Sequence, residues 1–236
     1  MRPHFPRTAH DKSLESFTRL SQSAEYLPSD RVLHGHPTTR KLRVVCRGCN
    51  NGWMSQLESA VKPLLEPMIL GHRVQLNEAA QRILAEWITL KIMVWEPTDQ
   101  RGTVFKRAQT IAFGADRKSP ANLKIWLFRT QIPNFAHITR AFTALFRTSD
   151  ISIADRQIPN TQTVPFGIGQ LVIWVVYSEL SDFELAKHSQ RFAKALWPPR
   201  SCALLWPPMR SLNADEIRHL GLTLGRFLDA VGTALT

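Results

Sequence analysis

Cysteine is scarce: three residues in 236, at Cys46, Cys49 and Cys202. An odd and sparse set excludes the disulfide framework that small secreted domains use in place of a large core. Acidic side chains are also short, with 19 Asp and Glu against 30 Lys and Arg, a net charge of +11. Long apolar runs are missing too. The longest, Leu171 to Tyr177, is about a third of the roughly 20 residues that a membrane-spanning helix needs. Residues 1–10 hold Arg2, Arg7 and two prolines but no apolar stretch, so no signal peptide is expected. These absences point to a soluble, cytoplasmic protein with no membrane partner. No Gly-Lys-Ser/Thr loop occurs, and Gly114, Gly167 and Gly169 make no phosphate-binding pattern. Serines in tight glycine contexts are few, which removes support for a nucleophile elbow. Hydrophobic content is not lacking. At 44% it excludes disorder across the whole chain and suffices for one large domain, or for a small module with a larger body.

The positive charge is concentrated. Residues 1–50 carry nine basic and four acidic side chains, and residues 101–150 carry nine against two. Residues 51–100 between them are acidic on balance, with four against six. Such an excess suits an anionic partner, of which nucleic acid, DNA above all, is the commonest. For 101–150 a solvated basic face is an equal reading. In the first block Arg40, Lys41, Arg43 and Arg47 crowd around the cysteine pair, and there the nucleic-acid reading is preferred.

Residues 1–39 are polar and irregular. The β-branched run from Arg40 to Cys46 predicts a short strand. Asn50 or Asn51 then caps a helix whose apolar stripe is Trp53, Met54, Leu57, Val61 and Leu64, with Pro63 and Pro67 ending or bending it. A second helix starts from the cap Asn77 and stops at Glu96-Pro97. A further helix is expected within 103–113. Leu123 to Arg129 reads as a strand with Ile125 and Leu127 on one face and Lys124, Trp126 and Phe128 on the other. Aromatics among cations there suit base stacking, but packing of one aromatic face into a core is preferred. Leu171 to Tyr177 reads as a buried strand. Trp197-Pro198-Pro199 and Trp206-Pro207-Pro208 read as indole rings closing the core over proline turns. Asn213 with Glu216 is a capping box for the last helix, and Cys202 is expected as a buried core thiol.

The chemistry-bearing stretch is Cys46-Arg47-Gly48-Cys49-Asn50-Asn51-Gly52-Trp53-Met54, followed by Leu57-Glu58. A strand, a Cys-x-x-Cys turn and a helix form half of a treble-clef zinc module, because two residues between thiolates let backbone N–H groups face the sulfurs. Tetrahedral zinc takes four ligands and this turn supplies two. One completion lies within the chain: His34-x-His36 ahead of Cys46-x-x-Cys49, two imidazoles and two thiolates. Free thiols and loop histidines are the bland alternative, and a redox pair is a rival lacking a thioredoxin-like context.

At these residues the chain resembles the HNH-endonuclease-like proteins common in bacteria and their prophages. The resemblance extends to Trp87-x-x-x-Lys91-x-x-Val94-x-Glu96, to Gly167-x-Gly169-Gln170-Leu171-Val172 and to the Trp-Pro-Pro close, covering most of the chain from about residue 40. It implies a ββα-metal site where a histidine acts as general base on water and a divalent ion, magnesium or manganese, stabilises the scissile phosphate. His4, in Arg2-Pro3-His4-Phe5-Pro6, matches the general base. Asn50 matches a metal-binding position. The family's earlier Cys-x-x-Cys has no counterpart, so the chain reads either as truncated at its N-terminus or as a member that kept the fold and lost the chemistry.

The expectation is therefore an α+β chain: a partial treble-clef (ββα-metal-like) module over 1–66, followed by a mixed helix and sheet body over 67–236. Its expected function is nucleic-acid binding, with metal-dependent phosphodiester cleavage if the catalytic set is complete. The alternative is a non-catalytic interaction or DNA-binding protein with a structural zinc knuckle.

Overall fold

A computed structural model describes residues 16–19, 44–98, 102–145, 158–180 and 193–234. The architecture is α+β, with helices on both faces of a largely antiparallel sheet. Its centre is β7 (Leu171–Ser178), buried at every position, flanked by β3 (Leu123–Thr130) and β6 (Thr161–Ile168). The alternation expected in β3 holds. Leu123, Ile125 and Leu127 enter one core, while Trp126 and Phe128 enter a second on the opposite face. The Trp126 and Trp174 rings lie 5.0 Å apart in that second core, so this aromatic face is packing surface, not a stacking platform for bases.

One edge shows how a single imino acid interrupts a ladder. β4 (Ala136–Ile138) and β5 (Arg140–Thr143) keep a continuous register against β6. Between them Thr139 N–H donates to the Pro165 carbonyl at 3.0 Å, but proline has no N–H to return the bond. β1 (Ser16–Arg19) lies parallel to β5. On the far side of the sheet, β8 (Lys194–Trp197) and β10 (Ser211–Leu212) both pair with β3. A separate two-stranded sheet joins β2 (Val74–Leu76) to β9 (Leu204–Trp206).

Helices cover both faces. A single turn, α1 (Arg47–Cys49), leads through a π-type turn at Asn50–Met54 into α2 (Ser55–Ile69). α3 (Glu78–Trp95) and α4 (Arg107–Asp116) complete that side, and α5 (Ala214–Ala234) covers the other. Leu57, Val61, Leu65 and Met68 of α2 share one core with β3 and β7, so α2 packs as part of the body across the expected 66/67 boundary. Asn77 caps α3 as expected, accepting from Ala80 N–H at 2.9 Å. The capping box at α5 forms in both directions, Asn213 N–H to Glu216 and Glu216 N–H to Asn213, each 2.9 Å.

Several expectations are corrected. Pro63 and Pro67 neither end α2 nor stop it short of Ile69. Pro63 has no N–H to donate to the Ser59 carbonyl, and Ser59 lies on the exposed side of the helix. Cys202 is exposed, not a core thiol. Among the described residues Val44 to Cys46 pairs with no strand, and residues 40–43 lie outside them. Trp206 is buried and Trp197 packs against the same core, as expected, each followed by a cis proline bond.

Candidate metal knuckle and adjoining cavity

Cys46 caps the single turn α1, while α2 starts after Met54 with no side-chain cap hydrogen bond, so the expected cap at Asn50 or Asn51 does not form. The Cys46 backbone is extended (φ −71°, ψ 155°), and its Sγ accepts the Cys49 N–H at 3.3 Å. The next residue, Asn50, donates its N–H to the Cys46 carbonyl at 3.0 Å. The turn is thus closed on Cys46 from both its sulfur and its carbonyl. A cysteine sulfur takes the place that a serine or aspartate oxygen holds at other N-caps. Cys46 is exposed, Cys49 half-buried, and both thiols are free. The Cys49 N–H aimed at the sulfur holds the Cys46 thiol below its ordinary value of 9.0, because a donor to the charged form favours that form.

Arg47, between the cysteines, is exposed. Asn50 is exposed as well, and its side-chain amide donates to Asn51 Oδ1 at 3.2 Å. The chain kinks at Gly52 (φ −93°, ψ −116°) before α2 begins. Trp53 then lies edge-on to Phe113 of α4, with the Arg117 guanidinium stacked 3.5 Å from its ring centroid. Among the described residues no group of three or more His, Cys, Asp or Glu side chains stands ready for a metal ion. His4, His34, His36, Arg40, Lys41 and Arg43 all lie outside the described residues.

Beside the knuckle lies a cavity of about 500 Å³, walled by Cys46, Cys49, Trp53, Met93, Phe105 and Phe113. Glu96, at the C-terminal end of α3, also lines it. This carboxylate is 2% exposed and pairs with Arg140 of β5, itself fully buried, at 3.4 Å. It also accepts from Val104 N–H (3.3 Å), Phe105 N–H (3.1 Å) and the Gln162 side-chain amide. Arg140 in turn donates to Gln162 Oε1 and to the Gly102 carbonyl, each at 2.8 Å. Burial raises the Glu96 pKa above its ordinary value, outweighing Arg140 and the three N–H donors that pull it down. With both oxygens engaged, Glu96 ties the helical layer to the sheet.

Sequence reasoning missed the buried partnership of Glu96, Arg140 and Gln162. A signal was there, since a carboxylate directly after the apolar run Ile92 to Trp95 is poorly placed for solvent. Two of the segments that carry the family resemblance touch, and a third reaches the end of α2. Glu58, after the knuckle, pairs with Lys91 of α3. The β6–β7 turn, through Gln170 N–H, donates to the Ile69 carbonyl at the end of α2 at 2.8 Å. No family model, curated protein or solved structure matches the chain.

Proposed function

We propose that the chain is a nucleic-acid-binding protein of the HNH-endonuclease-like kind, with Cys46 and Cys49 as half of a structural zinc site. The observation that carries this reading is the capped turn, which presents two thiols from one short segment with a backbone N–H on the first sulfur. The donor chemistry suits zinc: sulfur ligands on a Cys-x-x-Cys turn, one with its thiolate form favoured. His34 and His36 would supply the other two ligands. Bound there, zinc would contribute folding free energy by tying the segment around residues 34–36 to the start of α2. Arg40, Lys41, Arg43 and Arg47 would then place four cations around the knuckle for phosphate contacts.

Cleavage is the further step that the resemblance implies. His4 would take the proton from an attacking water, and Asn50 would lie at the metal position. Magnesium or manganese bound there would supply charge stabilisation at the scissile phosphate. A binding-only form of the same function is favoured by the chemistry of Asn50, a neutral amide hydrogen-bonded to Asn51, and so a poorer ligand than an imidazole or a carboxylate.

The test is metal content and binding on the full chain. Purified protein is expected to hold about one zinc per chain, lost in Cys46→Ser, and to bind duplex DNA at low ionic strength. Metal-free protein that stays fully folded overturns the zinc site, and no binding at low salt overturns the nucleic-acid reading. A plasmid-nicking assay with Mg²⁺ or Mn²⁺ separates the two forms. Activity lost in His4→Ala supports cleavage, whereas equal activity in that variant removes His4 from the mechanism.

A further inference from the structure

We infer that Cys46 and Cys49 form a reversible disulfide by exchange with a small-molecule disulfide of the glutathione class, and that this exchange discharges the zinc knuckle. The zinc clause rests on the function proposed above; the disulfide itself does not. Three observations carry it. Both thiols are free; Cys46 is exposed and Cys49 is partly so. The Cys46 sulfur already sits 3.3 Å from the backbone nitrogen of Cys49, so rotation of the Cys49 side chain brings the second sulfur toward the first. The cavity of about 500 Å³ is walled by both cysteines, which leaves room beside the pair for an incoming disulfide. Cys202 is exposed too, but it stands far from the pair in sequence and belongs to no Cys-x-x-Cys turn.

The exchange balances. Cys46 loses its thiol proton and its sulfur attacks one sulfur of oxidised glutathione, forming a mixed disulfide and releasing one glutathione thiolate. Cys49 then loses its proton, attacks Cys46 Sγ and releases the second glutathione thiolate. Two protein thiols are oxidised, one glutathione disulfide is reduced to two thiols, and the protons pass to the leaving thiolates. Cys46, as the more accessible sulfur, reacts first, and Cys49 resolves. A disulfide has no thiolate to offer a metal, so oxidation removes both sulfur ligands together.

The experiment uses the full chain carrying Cys202→Ser, treated with oxidised glutathione and followed by intact mass, peptide mapping and a chromogenic zinc chelator. The expected product is a Cys46–Cys49 disulfide with no retained glutathione, reversed by dithiothreitol, with zinc released in step. Adding Cys49→Ser is expected to trap glutathione on Cys46. A retained adduct when both thiols are present, or no reaction in metal-free protein, overturns the inference. Protein that never holds zinc but forms the internal disulfide overturns the zinc clause and the zinc part of the proposed function, and leaves the thiol exchange standing.

Discussion

Glu96 and Arg140 show how much can hang on two side chains. Both are buried, one at the end of α3 and one on β5, and Gln162 bridges them from β6. Removing one partner leaves a charge without compensation, so Arg140→Met is expected to cost about 3–5 kcal/mol, read as a fall in the denaturant midpoint. The pair also sets a pH dependence. Glu96 has a folded-state pKa above its ordinary value of 4.5 because of burial. Between those two values the folded chain holds a proton that the unfolded chain has released, so stability falls as pH rises through the window. Glu96→Gln is expected to flatten that slope; an unchanged profile of midpoint against pH would show that Glu96 does not titrate there. Arg140 was legible only as one cation in a basic block. Its partner is distant in sequence, and no periodicity links a helix end to a strand that the reading had not placed.

At the scale of elements, local chemistry was legible and long-range support was not. Asn77, Asn213 and Glu216 cap as their spacing predicts, because a cap is decided within four residues. Pro63 and Pro67 lie inside α2, which runs on to Ile69, so proline alone did not mark the helix end. The β6–β7 hairpin is a sharper case. Gly169 has φ +58° at the first position of its two-residue turn, the position that type II′ turns give to glycine. An added Cβ there would lie against the Ile69 carbonyl and 2.8 Å from Ile69 Cγ2. Gly169→Ala is therefore expected to destabilise by roughly 2 kcal/mol or more, from left-handed strain together with displacement of the α2 terminus. Gly114, inside α4, has nothing within 4 Å of an added Cβ. Gly114→Ala is expected to stabilise by about 0.5–1 kcal/mol. Chemical denaturation of the two variants should give shifts of opposite sign, and shifts of the same sign would contradict this account of the hairpin.

For the whole molecule, the α+β class and both faces of β3 followed from alternation and length. The two-sided helical cover did not, since it depends on which way α5 folds back. Among the described residues no helix is long and apolar enough to cross a membrane. The net charge of +11 is where sequence arithmetic and structure part most clearly. The block 101–150 has the larger excess, yet several of its cations are already engaged. Arg140 is buried against Glu96, Arg129 donates to Gln170 at 2.8 Å, Lys106 pairs with Glu179 at 3.0 Å and Arg117 stacks on Trp53. A count of charges treats these as equal to Arg47, which is exposed on the knuckle turn. If the knuckle is the nucleic-acid surface, the logarithm of the binding constant for duplex DNA should fall linearly with the logarithm of salt, by about 0.9 per phosphate neutralised. Arg47→Gln should then reduce that slope by about one phosphate contact, while Arg107→Gln on α4 should leave it unchanged. The reverse pattern would move the interface to α4 and detach nucleic-acid binding from the cysteine turn.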